Sequence, residues 1–220
     1  MGICQSTPIL NHGPQPVTLE SLSNNNTNTS YLITDYKWNQ HSKGLTYLMK
    51  LVLLTNKNPE LVYDIEDVVN DNPAELHKKN RIGWTPLMLA VANTTTMSSI
   101  ETVKKLLELG ANPNSTSYKK LSPLMVAVYN YGYGSDLETI KLLCSLQNIR
   151  INQYHYKYIN NTVIVENALT YAVNGLKKDI KVIDYLIKNG AVVLNNDDVK
   201  VLIVQNMCII DHMVGKPKIK

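Results

Sequence analysis

The sequence contains no phenylalanine and only three cysteines, and it has neither a long apolar run nor a strong excess of charge. Cys4, Cys144 and Cys208 are an odd number without the spacing of a metal site, which argues against a disulfide-stabilised scaffold and favours a reducing compartment. No apolar run is long enough for a membrane span, and the first residues lack the basic start and apolar stretch of a secretory signal. These absences predict a soluble chain in the cytoplasm.

The charge and the polar motifs also exclude several classes of function. Lys and Arg total 22 against 18 Asp and Glu, and a net charge of +4 is too small for a nucleic-acid-binding surface. No glycine-rich phosphate loop, zinc-binding histidine pair or nucleophile elbow is present. Cys208 and His212 are one helical turn apart but lack a third ligand. We therefore expect no catalysis, no cofactor, no metal and no nucleic-acid partner.

The feature that the sequence does have is an internal repeat. Residues 83–91 align with residues 120–128 and again with 165–173, and residues 44–49 are a weaker copy. Each copy begins with a side chain that can cap a helix, and a second apolar run of helical period follows it. The four capping residues are Thr46, Thr85, Ser122 and Asn167. The repeating unit is therefore predicted to be a turn, a short helix, a loop and a second helix.

One such helix pair cannot bury its apolar face, so neighbouring pairs are expected to stack into a continuous core. The sequence predicts an all-α solenoid of about 3.5 to 4 helix pairs. Their expected bounds are 43–79, 80–116, 117–161 and 162–194. Residues 1–42 contain an Asn-rich tract and are predicted to be a disordered leader, because they cannot bury enough surface to offset their ordering entropy. Residues 195–220 are predicted to be a capping helix and a basic tail, with a β-strand at 199–204 as the alternative.

These repeats resemble ankyrin repeats in their Gly-x-Thr-Pro-Leu start at Gly83, their Val-x-x-Leu-Leu second helix and their Gly-Ala-Asn-Pro-Asn exit at 110–114. Met88 and Met125 replace the family's usual histidine, and with the Asn-rich composition this makes the chain similar to ankyrin proteins of giant DNA viruses that infect amoebae. The resemblance implies a monomeric, non-enzymatic scaffold that binds a partner protein through a concave surface of inner helices and turns. If the protein is viral, its location would be the cytoplasm of the host cell.

In this family the contact positions lie beside the glycine of each turn and just after the alanine pair of each inner helix. Carried onto this sequence, they are Arg81, Ile82, Trp84, Tyr118, Lys119, Leu121, Ala92, Asn93, Tyr129 and Asn130. Because Trp, Tyr and Arg dominate binding hot spots, Trp84 and Tyr129 are expected to project from the stack as anchors. The alternative for Trp84 is that it packs on the next turn. The tyrosines at 154–158 alternate at period two, which would place three rings on one face of an extended turn. The clusters at 129–133 and 154–158 are each either a hairpin whose rings cover the neighbouring turn or a contact surface.

The N-terminal sequence Met-Gly-Ile-Cys-Gln-Ser allows a second interpretation. It fits an acyl-acceptor pattern in which Gly2 takes myristate, and Cys4 is placed for palmitate as the second anchor that stable membrane binding needs. The first alternative function is therefore a membrane-tethered ankyrin adaptor with peripheral membrane association. The second is a substrate adaptor for a degradation complex, as similar viral ankyrin proteins are, which would need a recruiting motif after the last helix.

Overall fold

The computed structural model describes residues 44–159, 162–174 and 177–192, and these residues form eight α-helices, a 3-10 helix and a two-stranded sheet. In chain order the elements are α1 (Tyr47–Val52), α2 (Leu61–Asp71), the 3-10 helix (Pro73–His77), α3 (Pro86–Ala92), α4 (Ile100–Glu108), α5 (Pro123–Tyr129), α6 (Leu137–Cys144), β1 (Tyr154–Ile159), β2 (Thr162–Asn167), α7 (Ala168–Asn174) and α8 (Ile180–Lys188). The predicted leader, the acylation sites Gly2 and Cys4, and the predicted capping helix lie outside the described residues.

Each odd-numbered helix begins at the capping residue that the sequence indicates. Thr85 Oγ1 accepts a hydrogen bond from Met88 N at 3.3 Å, and Ser122 Oγ accepts one from Met125 N at 3.2 Å. Asn167 Oδ1 accepts one from the backbone of the third helical residue of α7 at 2.9 Å. These bonds satisfy backbone donors that would otherwise have no partner in the first helical turn. The predicted helix starts are therefore confirmed.

The helices are arranged in two layers. The inner helices α1, α3, α5 and α7 pack one on the next, the outer helices α2, α4, α6 and α8 do the same, and each inner helix packs on the outer helix that follows it. Leu106, Leu143 and Leu186 occupy equivalent positions on three outer helices and are fully buried. One hydrophobic core therefore runs through all four pairs, as expected for a stack of repeats.

The turn before the fourth helix pair departs from the all-α prediction. Here β1 and β2 form an antiparallel hairpin in which Tyr154 pairs with Asn167 and Ile159 pairs with Thr162. The sequence aligns 165–173 with the earlier helix starts, and α7 begins at Ala168, the position equivalent to Pro86 and Pro123, directly after the end of β2. Thr162, Val163, Ile164 and Val165 form a run of β-branched side chains that favours a strand over a tight turn. The repeat is kept, and its turn is extended into a hairpin.

Candidate binding surface

The turns between helix pairs are built around one polar side chain each. In the turn before α3, Asn80 Oδ1 accepts hydrogen bonds from Ile82 N at 3.1 Å and Trp84 N at 2.8 Å. In the turn before α5, Ser117 Oγ accepts a hydrogen bond from Leu121 N at 3.1 Å. These bonds hold the backbone of each turn, so that the residues between the polar side chain and the helix start have fixed orientations.

The two turns stack directly on each other. Tyr118 N donates to Ile82 O at 3.4 Å, and the Tyr118 ring lies over Gly83. A Cβ added to Gly83 would lie 2.3 Å from Tyr118 N, and the φ angle of Gly83 is +83°, so this position requires glycine. The ring of Tyr118 is nevertheless 65% exposed. Residues 79–83 and 118–120 together form a surface that we call the turn ridge.

Four of the predicted contact residues lie on the turn ridge. Arg81, Tyr118 and Lys119 are exposed, and Ile82 is partly buried against the core. They come from two successive turns that are 37 residues apart in the sequence. The structure therefore brings these four predicted residues together on one surface.

The expectation that Trp84 projects from the stack is wrong. Its side chain is 4% exposed and belongs to the core, and Leu121, at the equivalent position of the next turn, is 7% exposed. In both turns the backbone of this residue is bonded to the residue four positions earlier, through Asn80 N to Trp84 O and Ser117 N to Leu121 O, both at 2.9 Å. This hydrogen bond closes each turn, and the side chain of the residue that accepts it, Trp84 or Leu121, is buried in the stack. Trp84 and Leu121 therefore support the turn ridge from beneath.

Asn130 is also buried, at 1% exposure, and is not a contact position in this structure. Its side chain donates to Val126 O at 2.8 Å, and its carbonyl accepts hydrogen bonds from the backbone of Tyr133, Gly134 and Ser135. It therefore organises the loop between α5 and α6. The earlier repeat has the same arrangement, because Asn93 donates to Leu89 O at 2.9 Å and its carbonyl accepts from the following loop.

Tyr129 is partly buried and packs on the fourth repeat. Its ring meets the Tyr171 ring edge to face, with centroids 5.6 Å apart and an interplanar angle of 89°. Tyr171 in turn donates to Glu166 Oε2 at 3.1 Å, and its hydroxyl lies 2.8 Å from His155 Nε2. Burial, followed by the nearby Glu166 carboxylate, raises the pKa of Tyr171. Tyr129 is thus held by the base of the hairpin and is placed less favourably for a partner than Tyr118.

Two exposed lysines of the turn ridge were missed by the sequence analysis. Lys79 Nζ lies 5.8 Å from the centre of the Tyr118 ring, and Lys120 has a φ angle of +63°. Lys120 is 37 residues after Gly83 and adopts the same left-handed backbone conformation. The alignment of the repeats could have indicated Lys120, because it places this lysine at the position where the preceding repeat requires Gly83.

A separate groove of about 710 Å³ lies at the loops that join the inner and outer helices, away from the turn ridge. Three of its four charged residues, Lys177, Asp136 and Asp179, already take part in contacts within the fold. Lys177 Nζ bonds Gly132 O and lies 4.9 Å from the centre of the Tyr133 ring, while Asp136 and Asp179 cap α6 and α8. The groove therefore presents few free polar groups to a ligand.

The described residues show little that could support a reaction. No three His, Cys, Asp or Glu side chains come together there as a metal site would require. Cys144 is a buried thiol whose pKa is raised to about 11 by its burial, which disfavours the nucleophilic thiolate. Of the helices in the described ranges, none has the length and hydrophobicity needed to cross a membrane.

Comparison with known families gives a match over more than half of the chain. A model of ankyrin repeats, in three copies, matches residues 21–155, so that the match begins within the predicted leader and ends in β1. Two ankyrin repeat proteins of Acanthamoeba polyphaga mimivirus are similar in sequence. One is 37% identical over 91 residues, which are 40% of this chain and 15% of the relative. The other is 38% identical over 81 residues, which are 34% of this chain and 13% of the relative. The chain thus matches only a small part of each of these viral proteins.

Proposed function

The chain belongs to the ankyrin repeat family, whose members generally act in protein–protein interaction, and from this premise we propose that it is a non-catalytic module that binds a partner protein through the turn ridge. The inner helices offer little surface for such a partner. Every residue of α3 is buried, because its neighbours cover its small and apolar side chains. The proposed contact surface is therefore narrower than the whole concave face that the resemblance implies.

The observation that carries this proposal is the position of Tyr118. Its backbone is fixed by stacking on the neighbouring turn, while 65% of its side chain remains exposed. A tyrosine on a rigid support gives a large contact area at a low cost in conformational entropy, with a hydroxyl for hydrogen bonding. Its neighbours include Arg81, and arginine is also enriched at hot spots. The turn ridge thus has the composition of a binding site.

The proposed partner is a protein of the cytoplasm of an infected cell. The support for this is that the similar ankyrin repeat proteins come from a virus of an amoeba.

The experiment is a capture of partners from an extract of Acanthamoeba cells with the full chain as bait. Tyr118→Ala should reduce recovery of the specific partner at least tenfold, because an exposed anchor at the centre of an interface carries about 2 kcal/mol or more. Tyr63→Ala is the matched control, because Tyr63 lies on α2 and is 70% exposed. It should leave recovery unchanged. Loss with Tyr63→Ala and retention with Tyr118→Ala would place the binding site on the outer helices and reject the proposal.

A further inference from the structure

We propose that the turn ridge recognises an acidic, extended segment of the partner protein, whose carboxylates pair with Lys79, Arg81, Lys119 and Lys120 and whose apolar side chain packs on Tyr118. This inference rests on the proposed function and names the chemistry of the partner.

Acidic residues are absent from the turns and inner helices of the second and third repeats, whereas each of the outer helices α2, α4 and α6 carries at least one. The segments 76–100 and 109–135, which contain the turns and the inner helices α3 and α5, include no aspartate or glutamate. The outer helix α2 has the opposite composition, with four acidic residues and no basic one. Because the overall net charge is only +4, the positive potential of the turn ridge is a local property.

The lysines of the two sides also differ in their partners. On the outer helices, Lys105 Nζ lies 3.0 Å from Glu66 Oε2, and Lys141 Nζ lies 2.8 Å from Glu138 Oε1. The hydrogen bond to the glutamate raises the pKa of each of these lysines. Among the described residues, no carboxylate forms an ion pair with any of the four cations of the turn ridge. These four cations are therefore available to carboxylates from another molecule.

Lys120 is a second, independent observation. Lys120 has a φ angle of +63°, in the left-handed region where the Cβ of a lysine is crowded by its own backbone, and glycine would avoid this strain. Gly83 shows that the repeat accepts glycine at this position. Non-glycine residues in strained conformations cluster at functional sites, where the side chain compensates for the strain. A charged side chain kept at this position points to a binding role for Lys120.

The dimensions favour a polypeptide over a nucleic acid. The four cations lie on two adjacent turns, and adjacent helices in a stack are about 8–10 Å apart. This surface is too short for the track of phosphate contacts that gives strong binding to nucleic acid. An extended chain rises about 3.3 Å per residue, so three or four residues of a partner would span the two turns. A short acidic segment with one apolar residue matches both the charge and the length.

The test is selection of a random 12-residue peptide library, displayed on phage, against the immobilised full chain. The enriched peptides should be acidic and should contain an apolar or aromatic residue between the carboxylates. The most enriched peptide, made synthetically with a fluorescent label, should bind the chain in solution, and its affinity should fall as the salt concentration rises. Enrichment of neutral or basic peptides, or of none, would overturn the inference. So would tighter binding of a 20-nucleotide single-stranded DNA than of the selected peptide.

Charge reversal distinguishes binding by the cations of the turn ridge from attraction by the net charge of the whole chain. Arg81→Glu with Lys119→Glu should lower the affinity for the selected peptide at least tenfold. The matched control is Lys104→Glu with Lys141→Glu, which makes the same change of net charge on α4 and α6 and should alter affinity less than twofold. Equal losses in both variants would overturn the inference. If Tyr118→Ala abolishes capture of a host partner while the ridge reversal does not, the proposed function holds and the acidic segment is rejected.

Lys120→Gly tests the strained lysine separately. Removal of the left-handed lysine should raise the urea concentration at the midpoint of unfolding, and loss of the ammonium group should weaken peptide binding about threefold or more. A residue with only a structural role would gain stability without losing affinity. That result would remove Lys120 from the proposed site.

Discussion

At the scale of single residues, small differences in position within one turn decide whether a side chain is available to a partner. Arg81 and Trp84 are three residues apart, yet Arg81 is exposed and Trp84 is buried. The cause is the hydrogen-bonded turn around Asn80. Trp84 closes this turn through two hydrogen bonds to Asn80, and its side chain is buried, whereas Arg81 lies within the turn and stays exposed. The next turn gives the same result, with Tyr118 exposed and Leu121 buried.

This difference predicts opposite effects for two aromatic truncations. Trp84→Ala should lower the free energy of unfolding by about 3–5 kcal/mol, because it leaves a cavity in the core. Tyr118→Ala should lower it by less than about 1 kcal/mol, since most of the ring is in solvent. Urea unfolding followed by circular dichroism measures both values. Similar losses for the two variants would contradict the assignment of Trp84 to the core and Tyr118 to the surface.

The sequence locates the turns, but it does not predict which side chains of each turn are exposed and which are buried. Trp84 was expected to be exposed because tryptophan is enriched at hot spots, and the same amphipathic ring also fills cores. Leu121 carried the useful signal, because an aliphatic residue at the equivalent position indicates a buried site. Lys120 gave a second signal in the sequence, because it is a non-glycine residue at a position where the preceding repeat has glycine. Both signals appear only when the two turns are compared position by position.

At the scale of secondary-structure elements, the loops after the inner helices join each repeat to the next through hydroxyl groups. Thr102 Oγ1 donates to Thr55 Oγ1 at 2.8 Å, and Thr139 Oγ1 donates to Thr94 Oγ1 at 2.9 Å. In the third repeat a tyrosine takes this role, since Tyr131 OH donates to the Asp179 carboxylate that caps α8. Different side chains thus form the same contact between a loop and the following outer helix.

The contact between Tyr131 and Asp179 predicts a pH dependence of stability. The hydrogen bond to Asp179, with a smaller effect of burial, raises the pKa of Tyr131 from 10 to about 12, and the same bond is the main cause that lowers the pKa of Asp179. The neutral phenol therefore stabilises the fold fully below pH 10, and this contribution is lost as the pH rises from 10 to 12. The Asp179 carboxylate stabilises it above its ordinary pKa of 3.8, and this contribution is lost as the pH falls below that value.

Tyr131→Phe removes both contributions. Between pH 10 and 12 the free energy of unfolding should fall more steeply for the wild type than for the variant, by about 1 kcal/mol at most because solvent screens the pair. Tyr118→Phe is the control, since its ring is exposed, and it should follow the wild type. Parallel pH profiles for the wild type and Tyr131→Phe would show that this contact does not join the third and fourth repeats.

Helix starts were the elements that the sequence predicted best. Capping residues such as Thr85 and Ser122 act through local bonds to the third helical residue, so the signal and the structure lie within four residues of each other. The hairpin of β1 and β2 was predicted only in part, because the alternating tyrosines at 154–158 indicate an extended segment or hairpin but not the strand with which it pairs. Strand formation there depends on pairing with 154–159, which a local comparison does not include.

At the scale of the whole molecule, the stack should behave as a chain of similar units whose stabilities add. The core positions Leu106, Leu143 and Leu186 are fully buried, whereas Lys104 and Lys141 lie on the outer surface. Each leucine changed to alanine should lower the free energy of unfolding by about 2–5 kcal/mol. Lys104→Ala and Lys141→Ala should change it by less than about 0.5 kcal/mol. Equal effects of the two sets in urea unfolding would mean that the repeat alignment is wrong.

The separation of charge has a consequence for the whole molecule as well. The outer helix α2 has acidic and no basic residues, whereas the turn ridge has basic and no acidic ones, so a partner with an acidic segment is attracted by the turn ridge and repelled by α2. This arrangement steers such a partner to the turn ridge before any close contact forms. The stack thus gives a rigid support on which a small binding surface is presented in one orientation.

The most direct measurement of the central claim is hydrogen exchange of the full chain, alone and saturated with a captured partner, read by mass spectrometry. If the turn ridge is the binding surface, exchange should slow on binding in peptides that cover 79–83 and 118–120, while peptides from α2 and α4 should be unchanged. The opposite pattern, with slower exchange on the outer helices and unchanged turns, would contradict the assignment of binding to the turn ridge.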